Sequence, residues 1–74
     1  MPLHQHELTP AEIRVSTLLL DGLTNRAIAH RLVISIRTVE CHLSRAMAKT
    51  GCLNRLELAL WIQKQTMGTR QAAR

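Results

Sequence analysis

The stretch Thr24-Asn25-Arg26-Ala27-Ile28-Ala29-His30-Arg31-Leu32-Val33-Ile34-Ser35-Ile36-Arg37-Thr38-Val39-Glu40-Cys41-His42-Leu43 decides the fold. Thr24 and Ser35 each suit an N-cap, because a hydroxyl accepts from the free N–H groups of a first helical turn. Ile28 and Leu32 stand four apart on one face of a short helix, with Ala29 beside them. Val33-Ile34 is a break. Ile36, Val39, Leu43 and Ala46 then recur at helical spacing, and Gly51 ends this longer helix near Thr50. Ala29 is small where the two helices must cross. The stretch reads as two helices joined by a tight turn, the helix-turn-helix arrangement.

Outward toward the N-terminus, Thr9, Pro10 and Glu12 make a capping box with proline at the first helical position. Leu8 is placed to staple onto Ile13. Ala11, Val15, Leu18 and Leu19 form the stripe of this first helix, which Gly22 stops. Outward toward the C-terminus, Asn54 and Glu57 open a fourth helix through Leu58, Trp61 and Ile62 to about Thr66, where Met67-Gly68 breaks it. The predicted organisation is a flexible start over 1–7, one domain over 8–66 and a flexible tail over 67–74. No strand-like alternation occurs, so the class is all-α.

Composition narrows the function. At 74 residues the chain is one small domain, burying only about 60% of its unfolded surface. No apolar run approaches the roughly 20 residues of a membrane span. The two cysteines, Cys41 and Cys52, support neither a disulfide framework nor a zinc site, which suits a reducing cytoplasm. The net charge of +5 points to a polyanion. There is no Phe or Tyr, only Trp61, so single-stranded nucleic acid would find no stacking platform and duplex DNA is favoured. No glycine-rich phosphate loop, paired carboxylates or nucleophile–base spacing suggests an enzyme. His4 and His6 have a metal-like spacing without further ligands, so no metal or cofactor is expected.

The charge is uneven. Residues 24–55 carry Arg26, Arg31, Arg37, Arg45, Lys49 and Arg55 against Glu40 alone. At 100° per residue, Arg37, Cys41, Ser44, Arg45 and Ala48 gather opposite the apolar stripe of the third helix, with Glu40 on the flank. A narrow face of small residues and arginines suits close approach to base edges in a major groove.

With Leu8-Thr9-Pro10-Ala11-Glu12, Gly22-Leu23-Thr24-Asn25-Arg26-Ala27-Ile28-Ala29, Leu32 to His42, Lys49-Thr50-Gly51 and Arg55 in this order, the chain resembles the LuxR/GerE-type helix-turn-helix over residues 8–62. That resemblance implies a four-helix domain of the winged-helix-like superfamily without the wing. It further implies a bacterial transcription regulator, associated with the nucleoid, that binds duplex DNA as a homodimer and acts near RNA polymerase. The third helix would read the major groove and the fourth would pair two copies.

On this reading Glu40, Cys41, Ser44 and Arg45 face bases. Thr24, Asn25, Arg37, Thr38 and Lys49 face phosphates, the first two at a helix N-terminus that offers free N–H groups. The fourth helix is apolar on two sides, and Leu56, Ala59, Leu60 and Gln63 are assigned to the dimer contact. His42 is a packed structural residue and Cys52 a small apolar one. The chain departs from the family pattern at Ala11, Ala27, Thr50 and above all Glu40, where Lys or Arg is common. A carboxylate there repels phosphate but can accept from cytosine N4. Two rival readings are a sigma-factor region-four-like promoter-binding domain and a protein-interaction module that has lost DNA binding. Whether a sensory domain accompanies the domain stays open.

Overall fold

The computed structural model describes residues Glu7 to Ala72, with side chains described as far as Gln65. Residues 1–6 of the expected flexible start over 1–7, His4 and His6 among them, and the last two residues lie outside that range. The chain forms α1 (Pro10–Leu19), α2 (Asn25–Leu32), α3 (Ile36–Thr50) and α4 (Arg55–Ala72), with no strand among the described residues.

Each helix starts where hydroxyl, amide and carboxylate side chains satisfy its free N–H groups. Thr9 Oγ1 accepts from the Glu12 N–H at 3.1 Å, and Glu12 Oε1 accepts from the Thr9 N–H at 2.9 Å, closing the capping box. Thr24 Oγ1 accepts from Ala27 N–H and Ser35 Oγ from Thr38 N–H. At α4, Asn54 Oδ1 accepts from Glu57 N–H while Glu57 Oε1 accepts from Leu53 N–H.

The ends differ. Gly22 and Gly51 take φ of +73° and +78°, which glycine adopts without a Cβ penalty. Val33, the residue after α2, takes φ 57° as well. A β-branched side chain rarely sits there. In return its N–H reaches back to α2, and Ile34 N–H bonds Ala29 O at 3.0 Å.

α3 is the hub. It packs on α1, α2 and α4, and α1 also packs on α4. Val15, Leu19, Ile28, Ala29, Val39, Leu43, Ala46 and Leu58 make the core. α2 touches α1 and α4 only slightly.

Three expectations need correction. α4 does not break at Met67-Gly68 but runs to Ala72. One glycine costs a helix about 1 kcal/mol relative to alanine, which Gln, Lys, Met and Arg neighbours can outweigh. Ile13 is not covered by a staple: it is exposed, while Leu8 packs against the core. Ile36 too is partly exposed, so the inner stripe of α3 is Val39, Leu43 and Ala46.

Val33 is 88% exposed, so replacing it loses little burial. A left-handed conformation costs an L-residue about 1–2 kcal/mol, and Asn tolerates it best after Gly. Val33→Asn is expected to stabilise the domain by about 1 kcal/mol, read as a rise in the urea midpoint at unchanged m. A fall would show that Val33 is not strained.

Candidate nucleic-acid interface

The outer face of α3 is built by exclusion. Val39, Leu43 and Ala46 turn into the core, so Arg37, Glu40, Cys41, Ser44, Arg45 and Ala48 are left exposed along the helix. None of the Arg37, Glu40, Cys41, Ser44 and Arg45 side chains has a hydrogen bond or ion pair among the described residues. Glu40 lies between two arginines in sequence yet pairs with neither. Thr38 is half-buried, its hydroxyl 2.9 Å from Ser35 Oγ in the first turn.

The start of α2 lies beside this face. Asn25, Glu40 and Ser44 line one open cleft, together with Met47, Asn54 and Arg55. The first N–H groups of α2 have no intrahelical partner by the geometry of any helix start, and only Ala27 N–H is taken by the Thr24 cap. Thr24 and Asn25 belong to the start of α2, and Arg37 and Thr38 to the first turn of α3. Asn25 is not free on all sides: its Oδ1 accepts from Arg55 Nη1 at 2.9 Å, and Arg55 Nη2 donates to Leu23 O at 3.0 Å.

Lys49 departs from its expected place at phosphates. Its Nζ donates to Glu12 Oε1 at 2.8 Å, and the Glu12 side chain is only 2% exposed. A buried carboxylate without a cation would be costly, so the half-buried ammonium is committed to Glu12. Sequence reading had treated Glu12 as a cap alone. The missed signal was periodicity: Glu12 shares the buried side of α1 with Val15, Ser16 and Leu19, and a charge on a buried stripe calls for a partner.

On α4, Leu58 and Ile62 are buried and Trp61 is half-buried. Of the residues assigned to a dimer contact, Leu56 and Leu60 are 67% and 52% exposed, and Gln63 is exposed. Ala59 is half-buried and packs against the chain's own core, so it offers less surface than the other three. His42 is half-buried, its Nδ1 without a partner among the described residues, and Cys52 packs against the core. Thr50, where the family pattern is apolar, accepts from Cys52 N–H and donates to Ala46 O, closing the turn after α3.

A short helix packed against a longer one, whose exposed outer face carries two arginines and small polar residues, defines a helix-turn-helix DNA-binding domain of the transcription-regulator class. Residues 6–62 match the bacterial regulatory proteins of the luxR family, and the chain belongs to that family. It is 52% identical over 48 residues to the C4-dicarboxylate transport transcriptional regulatory protein DctR of Rhodobacter capsulatus, 65% of this chain and 24% of DctR. It is 35% identical over 60 residues to the nitrate/nitrite response regulator protein NarL of Escherichia coli, 81% of this chain and 28% of NarL. The chain therefore spans about a quarter of these two relatives. No solved structure matches the chain significantly. The family match sets aside the sigma-factor reading. Among the described residues no helix is long and apolar enough to cross a membrane.

The Glu12–Lys49 pair gives a signed pH dependence. Burial alone would raise the Glu12 pKa. The Lys49 hydrogen bond, the Thr9 N–H and the Lys49 charge together outweigh it and hold the carboxyl below its ordinary value. A depressed folded pKa contributes stability above the unfolded value of about 4.3, and that contribution is lost as pH falls through the folded value. Urea midpoints of the wild type should therefore fall with acidification below about pH 4.5. Lys49→Met should cost about 2–3 kcal/mol near neutrality, because Glu12 stays buried without its cation. The variant should also lose the acid-side slope. An unchanged slope in Lys49→Met would show that Glu12 does not titrate against Lys49.

Proposed function

We propose that the chain binds duplex DNA in a sequence-specific manner, with α3 in the major groove. Glu40, Cys41, Ser44 and Arg45 meet base edges. Thr24, Asn25, Arg37 and Thr38 meet phosphates on either side. The observation that supports this most directly is the outer face of α3, whose polar groups have no partner inside the domain. A buried or braced charge would be unavailable to DNA; these are neither.

Two copies pair through α4 by the stripe Leu56, Leu60 and Gln63. Large apolar side chains left in water on one helix face mark a contact surface. A two-fold pair would set two α3 helices about one turn of DNA apart, on an inverted repeat. Bound there, in the cytoplasm, the pair acts on transcription near RNA polymerase. Non-specific duplex affinity is expected on the order of 10⁻⁴–10⁻⁶ M at physiological salt.

Selection from a random duplex library near physiological salt tests this reading. An inverted repeat with constant half-site spacing is expected; no enrichment would count against it. Glu40→Lys should remove a C·G preference at one position of each half-site, since Glu accepts from cytosine N4 and Lys cannot. Arg37→Gln should weaken binding to all sequences alike and reduce the salt slope by about 1. Leu60→Asp should leave a monomer in sedimentation that binds half-sites weakly. A Leu60→Asp protein that still binds the full repeat as a pair would place the dimer contact elsewhere.

A further inference from the structure

We propose that Arg55 is a positioning residue for DNA binding, acting through Asn25 and the start of α2. The proposal rests on the DNA reading above and goes beyond it. α2 is held firmly by α3 alone, through Ile28 and Ala29, and its C-terminal end is tied by the Ile34–Ala29 bond. Among the described residues, the side-chain hydrogen bonds that link its start to another element are the two from Arg55. Leu23 reinforces that end by packing on the core.

The geometry suits a guanidinium. Nη1 donates to Asn25 Oδ1 at 2.9 Å and Nη2 to Leu23 O at 3.0 Å, so one rigid fork grips a side chain and the backbone two residues before it. A lysine ammonium keeps the charge but not the fork. Arg has only donors, so the Asn25 atom facing it must be the oxygen, which assigns the amide orientation. The two N–H bonds of Asn25 Nδ2 then point away from Arg55.

Arg55 bridges an open cleft of about 430 Å³ whose other walls include Glu40 and Ser44 on α3. By closing the distance between the α3–α4 turn and the α2 start, it holds the phosphate-facing end of α2 in register with the base-facing side of α3. Its two terminal nitrogens are already engaged within the domain. Two of its five N–H donors are spent on these bonds; its effect on affinity is assigned to orientation, which an unchanged salt slope separates from a phosphate contact.

The test uses the whole 74-residue chain and the duplex enriched from the random library. Affinity is measured across a salt series for wild type, Arg55→Lys, Asn25→Ala and the double variant, with thermal midpoints alongside. Arg55→Lys should lose affinity on the order of tenfold, with an unchanged salt slope. In the Asn25→Ala background the same change should cost clearly less, since only the Leu23 bond is left to lose. A merely structural role would lower the midpoint and leave the affinity of the folded fraction alone, which would overturn the proposal. So would additive losses, or an Arg55→Gln protein whose salt slope falls by about 1, since that marks a direct phosphate contact. If Arg55→Gln fails to fold, the charge-preserving Arg55→Lys cycle decides alone. Absence of wild-type binding to any duplex overturns the DNA reading itself, and is distinguishable because it appears before any substitution.

Discussion

The buried Glu12–Lys49 pair is the constraint on which the rest of the domain depends. Glu12 closes the cap of α1 with one oxygen and takes Lys49 Nζ at 2.8 Å on the same oxygen. The bond joins the first turn of α1 to the last turn of α3, across 37 residues of chain. A carboxylate 2% exposed tolerates no displacement of its partner, because leaving it unpaired costs far more than the pair contributes. Apolar packing alone allows two helices to slide. This contact specifies the register of α1 on α3, and α4 is then laid against both through Leu58.

α3 serves two opposed demands. Its inner side must be apolar enough to be the hub of a small core, and its outer side must stay polar and unpaired. Fifteen residues supply both because the helical repeat sends Val39, Leu43 and Ala46 inward and everything between them outward. α2 is the least anchored helix. The left-handed Val33 turns the chain within two residues, so that Ile34 reaches the core and Ser35 can cap α3. Strain at Val33 is tolerated because the bonds and packing on both sides leave the turn no other path.

Most of the fold was legible because it is written in local punctuation. Thr9, Thr24, Ser35 and Asn54 act within three or four residues of themselves, and Gly22 and Gly51 through their own dihedrals. The outer face of α3 was legible for the same reason, since one period sorts it. What escaped the sequence was non-local. Lys49 and Arg55 look like any surface cations in a basic segment. Only three-dimensional proximity shows that Lys49 meets Glu12 and that Arg55 meets Asn25 and Leu23. The half-buried place of Ala59 was not legible because α4 is apolar on two sides, and a wheel cannot say which side the core takes. The end of α4 was misplaced because glycine weakens a helix without stopping it unless the chain turns left-handed there.

These two commitments bear differently on the electrostatics of the interface. Six cations lie between residues 24 and 55; Lys49 is neutralised by Glu12, while Arg55 is exposed and bonded to neutral oxygens, so its charge persists. Among the described residues Arg26, Arg31, Arg37 and Arg45 have no paired anion and are exposed, with Glu40 set against them. Of these four only Arg37 and Arg45 stand on α3. Each phosphate neutralised contributes to affinity through released counterions, so one copy with so few free charges holds DNA weakly. Under the proposed mode, pairing on α4 doubles the count without adding a residue, because the second copy binds at high effective concentration. Glu40 subtracts from charge attraction at every sequence and returns something only where a cytosine amino group meets it. A domain built this way exchanges general affinity for discrimination, and the pairing of two copies is what makes that exchange workable.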